Sequence, residues 1–166
     1  MARYPLEPLL VARRYREAAA ARETLLARRR VEEAREAEAA AREKLLRYRE
    51  WRPAEENRLF GTVRGRAIPR EDLDRHLEDV RALRRAELNL EDACREAEKA
   101  VAARMGELDE AKRRQADAVR DLRKMDAHRD IWRKEEARRL ELAEEAELED
   151  FSGARSDMAG DDGEDY

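Results

Sequence analysis

One segment of the chain breaks helix formation more strongly than any other, and it separates two long stretches that lack a comparable break. This segment, GTVRGRAIP at residues 61–69, contains two glycines and a proline, the residues that most strongly interrupt helices. Before it, Pro53 is the only breaker after Pro8, and after it Gly106 is the only glycine or proline up to residue 149. A short break between long helices favours an antiparallel hairpin. We therefore expect a first helix over about 6–60, a loop over 61–69 and a second helix over about 70–149.

Composition and apolar spacing predict that the two helices form a coiled coil. Charged residues make up 47% of the chain, about twice the share in ordinary globular domains. Most residues are Ala, Glu, Lys, Leu or Arg, which are strong helix formers. Apolar residues recur in steps of three and four, a period of about 3.5 that indicates a coiled coil. The predicted fold is all-α, a long antiparallel two-helix coiled-coil hairpin.

The apolar stripe is weaker in the first helix than in the second. In the second helix it extends from Leu73 to Leu140, and its spacing predicts a phase slip near Met105 that would change the supercoil locally. In the first helix a phase shift is expected between two shorter stripes. These stripes comprise Val11, Tyr15, Ala18 and Leu25, and then Val31, Ala34, Ala37, Ala41, Leu45 and Tyr48.

Charge is divided unevenly along the chain. Residues 1–69 carry 17 basic and 11 acidic side chains, whereas residues 70–149 carry 19 basic and 24 acidic ones. The opposite net signs favour pairing of the two helices side by side. Residues 150–166 carry one basic and six acidic side chains with little apolar content, which predicts a disordered acidic tail.

The residues that usually carry catalysis or bind metal are sparse. His76 and His128 lie about 52 positions apart on the predicted second helix, so we expect them to be solvated and not to share a metal ion. Cys94 falls on the apolar stripe, where a packed side chain is the expected role. A two-helix rod also offers no enclosed pocket that would perturb a carboxylate. We therefore expect no enzyme activity, no cofactor and no metal.

The sequence also argues against nucleic acid or a membrane as a direct partner. Basic side chains, such as those of ARRR at 27–30, alternate with acidic ones on almost every turn, which is typical of solvated helix faces. No run of about 18 apolar residues could span a bilayer, and no segment has the broad apolar face of a membrane-lying helix. With one cysteine and no signal-peptide core, the chain is expected to be cytoplasmic.

Aromatic residues concentrate beside the break, in YREWRPAEENRLF at residues 48–60, here called the aromatic segment. It holds three of the eight aromatic residues, Tyr48, Trp51 and Phe60, together with Pro53. One interpretation is that the rings fill the end of the hairpin and hold the loop. The other is that they anchor a partner, because aromatics beside arginine are frequent at protein interfaces. A bend at Pro53 would turn the rings out of the stripe.

The aromatic segment also carries a resemblance to a known family. WRPAEENRLF, followed by a short polar break and EDLDRHLEDVRALRRAE, resembles the YscO (SctO) family, the central-stalk proteins of type III secretion systems, which are related to the flagellar protein FliJ. The family has a W-R-x-x-E-E-x-R-L-F element before the break and a Leu-patterned second helix after it. The matching residues are Trp51, Arg52, Glu55, Glu56, Arg58, Leu59, Phe60, Asp72, Leu73, Leu77, Val80 and Leu83.

The resemblance implies a fold and a set of partners. Family members are antiparallel two-helix coiled coils whose end with both termini is thought to enter the pore of the hexameric secretion ATPase. The loop end points to the cytosolic domain of the export gate, and members are linked to the escort of export chaperones at the cytoplasmic base of the apparatus. The implied role is a non-enzymatic stalk; the alternative is a general coiled-coil scaffold or chaperone-like interaction protein. The residues expected to bind the export gate are Leu45, Tyr48, Trp51, Arg52, Glu55, Arg58, Leu59 and Phe60.

Overall fold

The protein consists of two α-helices joined by a short loop. The computed structural model describes residues 3–159, with side chains through residue 151. Helix α1 spans Glu7–Val63 and helix α2 spans Arg70–Ala159, and no strand occurs in the described range. The all-α two-helix hairpin that the sequence predicts is confirmed.

The helix bounds differ from the expected ones mainly at the C-terminal end. α1 has Pro8 in its first turn, where the missing N–H of proline costs little. It continues through Pro53 to Val63. α2 continues to Ala159, whereas the second helix was expected to end near residue 149. Of the expected disordered tail, residues 160–166 lie outside the described residues.

Local hydrogen bonds and backbone geometry define the loop. Gly65 has a φ of 74°, a left-handed conformation that suits glycine after the end of a helix. At the start of α2 the carbonyl of Pro69 accepts hydrogen bonds from the N–H groups of Asp72 (3.1 Å) and Leu73 (3.2 Å). Glu71 and Asp72 lie in the first turn of α2, where the helix dipole favours negative charge. The segment that breaks the sequence pattern therefore forms a turn with its own stabilising contacts.

The chain divides into two compact units, each built from a segment of α1 and a segment of α2. The terminal unit comprises Met1–Ala19 and Gln115–Tyr166, and the loop unit comprises Ala20–Arg114. The start of α1 and the C-terminal part of α2 therefore belong to one unit, and the loop belongs to the other.

In the loop unit the buried face of α1 advances in alternating steps of four and three. Its most buried members are Ala20, Thr24, Ala27 and Val31, and half-buried positions continue the same spacing to Leu59. This is the repeat of a coiled coil, which agrees with the predicted packing. The most buried residues of α2 in this unit are His76, Val80, Cys94 and Ala111.

In the terminal unit the core is small and bordered by ion pairs. Leu10 is completely buried and Tyr4 nearly so. The guanidinium of half-buried Arg13 forms an ion pair with Asp121 of α2. Its aliphatic stem can thus cover the core while its charge is neutralised.

The expected apolar stripe of α1 is wrong in its first half. Val11, Tyr15 and Leu25 were expected to face the second helix, but all three are exposed. The buried face instead passes through Leu10 and Thr24, which lie two heptads apart, so no phase shift is needed before residue 31. The predicted stripe was wrong because polar residues occupy several positions of the seam, the buried face where α1 and α2 meet. A pattern based on apolar residues alone does not include those positions.

α2 likewise keeps its phase where a slip was expected. Val101 and Leu108 are both half-buried and lie one heptad apart, whereas Met105 between them is exposed. Near the start of α2, Leu73 is exposed and His76 is buried. The expectation that His76 is solvated is therefore wrong, because the coiled-coil repeat places it, and not its leucine neighbour, against α1.

Candidate partner-binding surfaces

Tyr48 is held against α2 and is not free to reach a partner with its polar end. Its ring is half-buried, and its hydroxyl donates a hydrogen bond of 2.7 Å to the main-chain carbonyl of Leu83. Burial raises the pKa of the Tyr48 hydroxyl, and the positive charge of Arg52 acts in the opposite direction. This contact ties α1 to α2 within the loop unit, which supports the interpretation that the rings hold the hairpin together.

Trp51 is placed differently, with about half of its surface open. Its ring centroid lies 5.5 Å from that of Tyr48, with the planes tilted by 53°. This contact is in the range of favourable aromatic pairs. Trp51 is nevertheless 49% exposed. Tyr48, which is fixed against α2, therefore packs on Trp51, and the exposed half of Trp51 can contact a partner.

Phe60 forms the second exposed aromatic surface of the segment. It meets the edge of the buried His76 ring at a centroid distance of 5.2 Å, and it is 46% exposed. Leu73 and Leu77, on either side of His76 in sequence, are exposed as well. Phe60 and these two leucines are thus exposed apolar side chains near the loop.

Trp51 and Phe60 do not lie on the same side of α1. A helix turns by about 100° per residue, so a separation of nine residues places the two side chains about half a turn apart. A partner that contacts both rings must reach around the hairpin, and a partner on one side contacts only one of them. The structure thus separates the two residues that the sequence grouped as one anchor.

Arginines of the aromatic segment reach across to acidic residues of α2. Arg52 is 2.8 Å from Glu87, and Arg49 is 2.9 Å from Glu87 and 2.5 Å from Glu91. Hydrogen bonds to Glu87 and Glu91 raise the pKa of the Arg49 guanidinium. The Glu87 side chain is mostly covered, and the two arginine side chains balance its charge. Arg52 therefore has a bridging role within the hairpin.

The remaining predicted site residues divide between the seam and the surface. Leu45 and Leu59 are half-buried at seam positions. The guanidinium of Arg58 donates hydrogen bonds of 2.9 and 2.6 Å to Glu55, and this contact lowers the pKa of the Glu55 carboxyl. Because Arg58 is exposed, this pair can exchange its internal contact for one with a partner.

The terminal unit contains a second aromatic cluster that the sequence analysis did not identify. The Tyr4 hydroxyl and His128 Nδ1 share a hydrogen bond of 2.7 Å, and the Tyr4 and Trp132 ring centroids are 5.4 Å apart. His128 was expected to be only solvated, but it has this specific partner. The signal was weak, because Tyr4 precedes α1 and lies far from α2 in sequence.

A cleft of about 730 Å³ lies beside this cluster. Tyr4 and Trp132 form part of its wall, and Arg133 and Leu140 of α2 extend it toward the C-terminal end. This volume is within the range of small binding sites. The terminal unit therefore has its own candidate surface.

Residue types that commonly bind metal ions do not cluster among the described side chains. Among them, no group of three or more His, Cys, Asp or Glu residues could hold a metal ion. Cys94 is buried and free, as its stripe position predicts. Within the described range, neither helix combines the length and apolar character that crossing a membrane requires.

The fold and these surfaces define a coiled-coil hairpin protein whose exposed features suit protein partners. The family described as Type III secretion protein YscO matches residues 6–154. The chain therefore belongs to the YscO family of type III secretion proteins, and the resemblance seen in the aromatic segment is confirmed. Comparison with the curated proteins and with the solved structures finds no significant match.

Proposed function

We propose that this protein is the non-enzymatic central stalk of a type III secretion system, linking the hexameric secretion ATPase to the export gate. The observation that carries the proposal is family membership over residues 6–154, together with the assignment of the chain ends and the loop to different compact units. In this role the protein acts at the cytoplasmic base of the secretion apparatus and also escorts export chaperones.

The terminal unit is the proposed ATPase-binding part. A single hairpin is asymmetric, so within a ring of six equivalent subunits it cannot present the same surface to each of them. Its binding would favour one arrangement of the ring and promote assembly or ordered turnover. Charged residues of both helices supply the contacts, and Arg14, exposed and 3.5 Å from Asp126, is an example of a side chain that can change partner.

The loop unit is the proposed gate-binding part. Trp51 and Phe60 supply two exposed aromatic surfaces on different sides of α1, and exposed aromatics are frequent anchors of interfaces. Leu45, Tyr48, Arg52 and Leu59 support these surfaces from the seam side, and the Glu55–Arg58 pair lies between them in sequence.

The first experiment measures the ATPase rate and the oligomeric state of the cognate secretion ATPase, with and without this protein. We expect a higher rate and more hexamer at less than one stalk per ATPase subunit, because one stalk serves a whole ring. An ATPase whose rate and assembly are unchanged by excess protein would overturn the ATPase link.

The second experiment measures binding to the cytosolic domain of the export gate. We expect the double variant Trp51→Ala, Phe60→Ala to abolish binding while helicity is retained, since both side chains are about half exposed. The single variants show which side of α1 is contacted. Leu25→Ala, at an exposed apolar position of the same helix distant from the loop in sequence, is the control. If the double variant binds as well as the parent, the aromatic anchor is wrong.

A general coiled-coil scaffold is the second candidate function. It is favoured by exposed leucines in the loop unit that no proposed contact uses, Leu46 and Leu88, because surplus apolar surface suits additional partners. Light scattering separates the candidates in part: a monomer agrees with the stalk, whereas a dimer stable at nanomolar concentration supports the scaffold.

A further inference from the structure

The C-terminal part of α2 extends beyond the region that packs against α1. Trp132 contacts Tyr4, which precedes α1, and Glu136 is the last half-buried residue of α2. Every described side chain from residue 137 to residue 151 is exposed. This segment, residues 137–151, is here called the overhang, and none of its side chains is buried against α1.

The overhang has an apolar stripe on one side. With about 100° per residue, Ala137, Leu140, Leu148 and Phe151 fall within a sector of about 80°. Leu148 and Phe151 are 70% and 71% exposed, the values of side chains with no cover. Leu142 points to the opposite side. An amphipathic face of this kind normally packs against another element.

The stripe begins in the cleft of the terminal unit. Ala137 and Leu140 belong to the cleft wall together with Tyr4 and Trp132. By the same helical geometry, the stripe is rotated by about a quarter turn from the side of α2 that packs on α1. A second helix could therefore lie along the overhang, with its end in the cleft, without displacing α1.

The charge of the overhang restricts what can cover the stripe. The overhang has two basic residues near its start, Arg138 and Arg139, but residues 140–151 contain six acidic and no basic side chains. Glu144 lies within the stripe, and Glu141 and Glu147 border it. A membrane with anionic lipids, a nucleic acid or the same segment of a second copy would bring like charges together. Basic residues flanking an apolar helix face would instead pair with the glutamates, as charged flanks do in coiled coils.

From these observations we propose that the overhang and the adjoining cleft bind a basic amphipathic helix of a partner protein. Its apolar side covers Leu140, Leu148 and Phe151, and its basic flanks meet Glu141 and Glu147. A further basic side chain reaches Glu144, which interrupts the stripe. This is helix-to-helix recognition, in which apolar anchors supply affinity and flanking charges supply selectivity. The inference goes beyond the stalk role and needs neither the ATPase nor the gate, so its test can fail independently of the proposed function.

The test uses the full chain and two synthetic helical peptides of 21 residues. Both peptides carry leucines at heptad spacing; one has lysine at all flanking positions and the other has glutamate there. We expect the lysine peptide to bind in fluorescence anisotropy at physiological salt and the glutamate peptide to bind at least tenfold more weakly. Equal binding of both peptides would overturn the charge argument.

Matched variants of the overhang test the surface itself. Leu148→Ala is expected to weaken lysine-peptide binding by about tenfold, because the bound peptide would bury the leucine side chain. Leu142→Ala makes the same chemical change at an exposed position on the opposite side, and it should alter binding less than twofold. Glu144→Lys should weaken lysine-peptide binding at least tenfold. Asp150→Lys makes the same charge change for an acidic residue outside the stripe, and it should weaken binding clearly less than Glu144→Lys does.

All these residues are exposed, so the variants should keep the circular dichroism spectrum of the parent. Loss of binding by Leu148→Ala and Glu144→Lys, with both controls retained, supports the proposal. Equal effects of Leu148→Ala and Leu142→Ala, or binding that depends on charge alone and not on Leu148, would overturn it.

Discussion

Pro53 lies inside α1, and its replacement by alanine should make the protein more stable. α1 continues without interruption from Glu7 to Val63 through Pro53. Proline has no N–H, so the carbonyl of Arg49, four residues earlier, has no helical hydrogen bond from position 53, and the ring crowds that carbonyl. Pro53 is exposed, so no buried contact of its ring is lost in Pro53→Ala.

The expected gain is large for a surface substitution. Proline costs about 3 kcal/mol relative to alanine in a helix interior, so the free energy of unfolding should rise by about 2–3 kcal/mol. For a chain of this size about 1 kcal/mol corresponds to 2–4 °C, so the midpoint should rise by roughly 5–10 °C. Thermal and urea unfolding followed by circular dichroism measure both quantities. Hydrogen exchange should also detect a protected amide at position 53.

Asn57→Ala is the matched control, since Asn57 is also exposed and lies one turn further along α1. Its gain should be about 0.5 kcal/mol, from helix propensity alone. A Pro53→Ala variant that gains no more than this control would refute the reasoning, because the packing around the aromatic segment would then require the proline geometry. If the variant gains stability but binds the gate domain more weakly, the proline shapes the surface between Trp51 and Phe60.

Three further predictions concern the seam. Leu10→Ala should lower the free energy of unfolding by about 2–4 kcal/mol, since Leu10 is fully buried, whereas Leu9→Ala at the neighbouring exposed position should cost much less in the same urea titration. Burial raises the pKa of the Tyr48 hydroxyl. The neutral side chain should therefore make its full contribution to the free energy of unfolding below the usual tyrosine pKa of about 10, and that contribution should be lost as pH rises through the folded-state pKa. The difference between the ultraviolet titrations of the parent and of Tyr48→Phe measures this pKa. Glu87→Leu removes the close partner of Arg52. With spin labels at two exposed positions, one on each helix of the loop unit, the distribution of label-to-label distances should become broader. An unchanged distribution would contradict the idea that this pair fixes the alignment of α1 against α2.

The break and the helical character could be predicted because they depend on local chemistry. Glycine and proline act on their own backbone, so Gly65 and Pro69 mark the turn wherever the helices pack. Long runs of strong helix formers likewise predict helix without knowledge of the partner. The family resemblance rested on side chains of the aromatic segment, and it was sufficient to identify the family without any knowledge of three-dimensional contacts.

The position of the seam was harder to predict because apolar character and burial do not coincide in this chain. Val11 and Tyr15 are apolar or aromatic and exposed, whereas Thr24 is polar and buried. The Thr24 hydroxyl can be buried because it donates a hydrogen bond of 3.0 Å to the carbonyl of Ala20. A strict heptad register, counted in both directions from Val31, would have found the seam despite its polar members.

The sequence predicts which residue types are in the candidate site but not how they are arranged, because the arrangement also depends on the position of the seam. The sequence identifies the residue types that form interfaces, but the direction of each side chain depends on its phase relative to the seam. Trp51 and Phe60 are close in sequence, yet helical rotation separates them. The cluster of Tyr4, His128 and Trp132 depends on how α1 and α2 are aligned, which no local pattern specifies.

Small side chains fit one another in several registers, so the alanines of the seam, such as Ala20 and Ala27, do not by themselves fix the alignment of the two helices in the loop unit. The seam positions of α2 at Val80, Glu87 and Cys94 lie one heptad apart, the first and last buried and Glu87 half-buried. In the observed register Arg52 meets Glu87. A slip of one heptad in either direction would place the Arg52 guanidinium against Val80 or Cys94 and leave it without that carboxylate, and loss of a partner is costly for a covered charge. Polar seam residues therefore specify one alignment where alanines alone would not. The Arg52–Glu87 pair, which contributes to this alignment, is next in sequence to Trp51, one of the residues proposed to bind the gate.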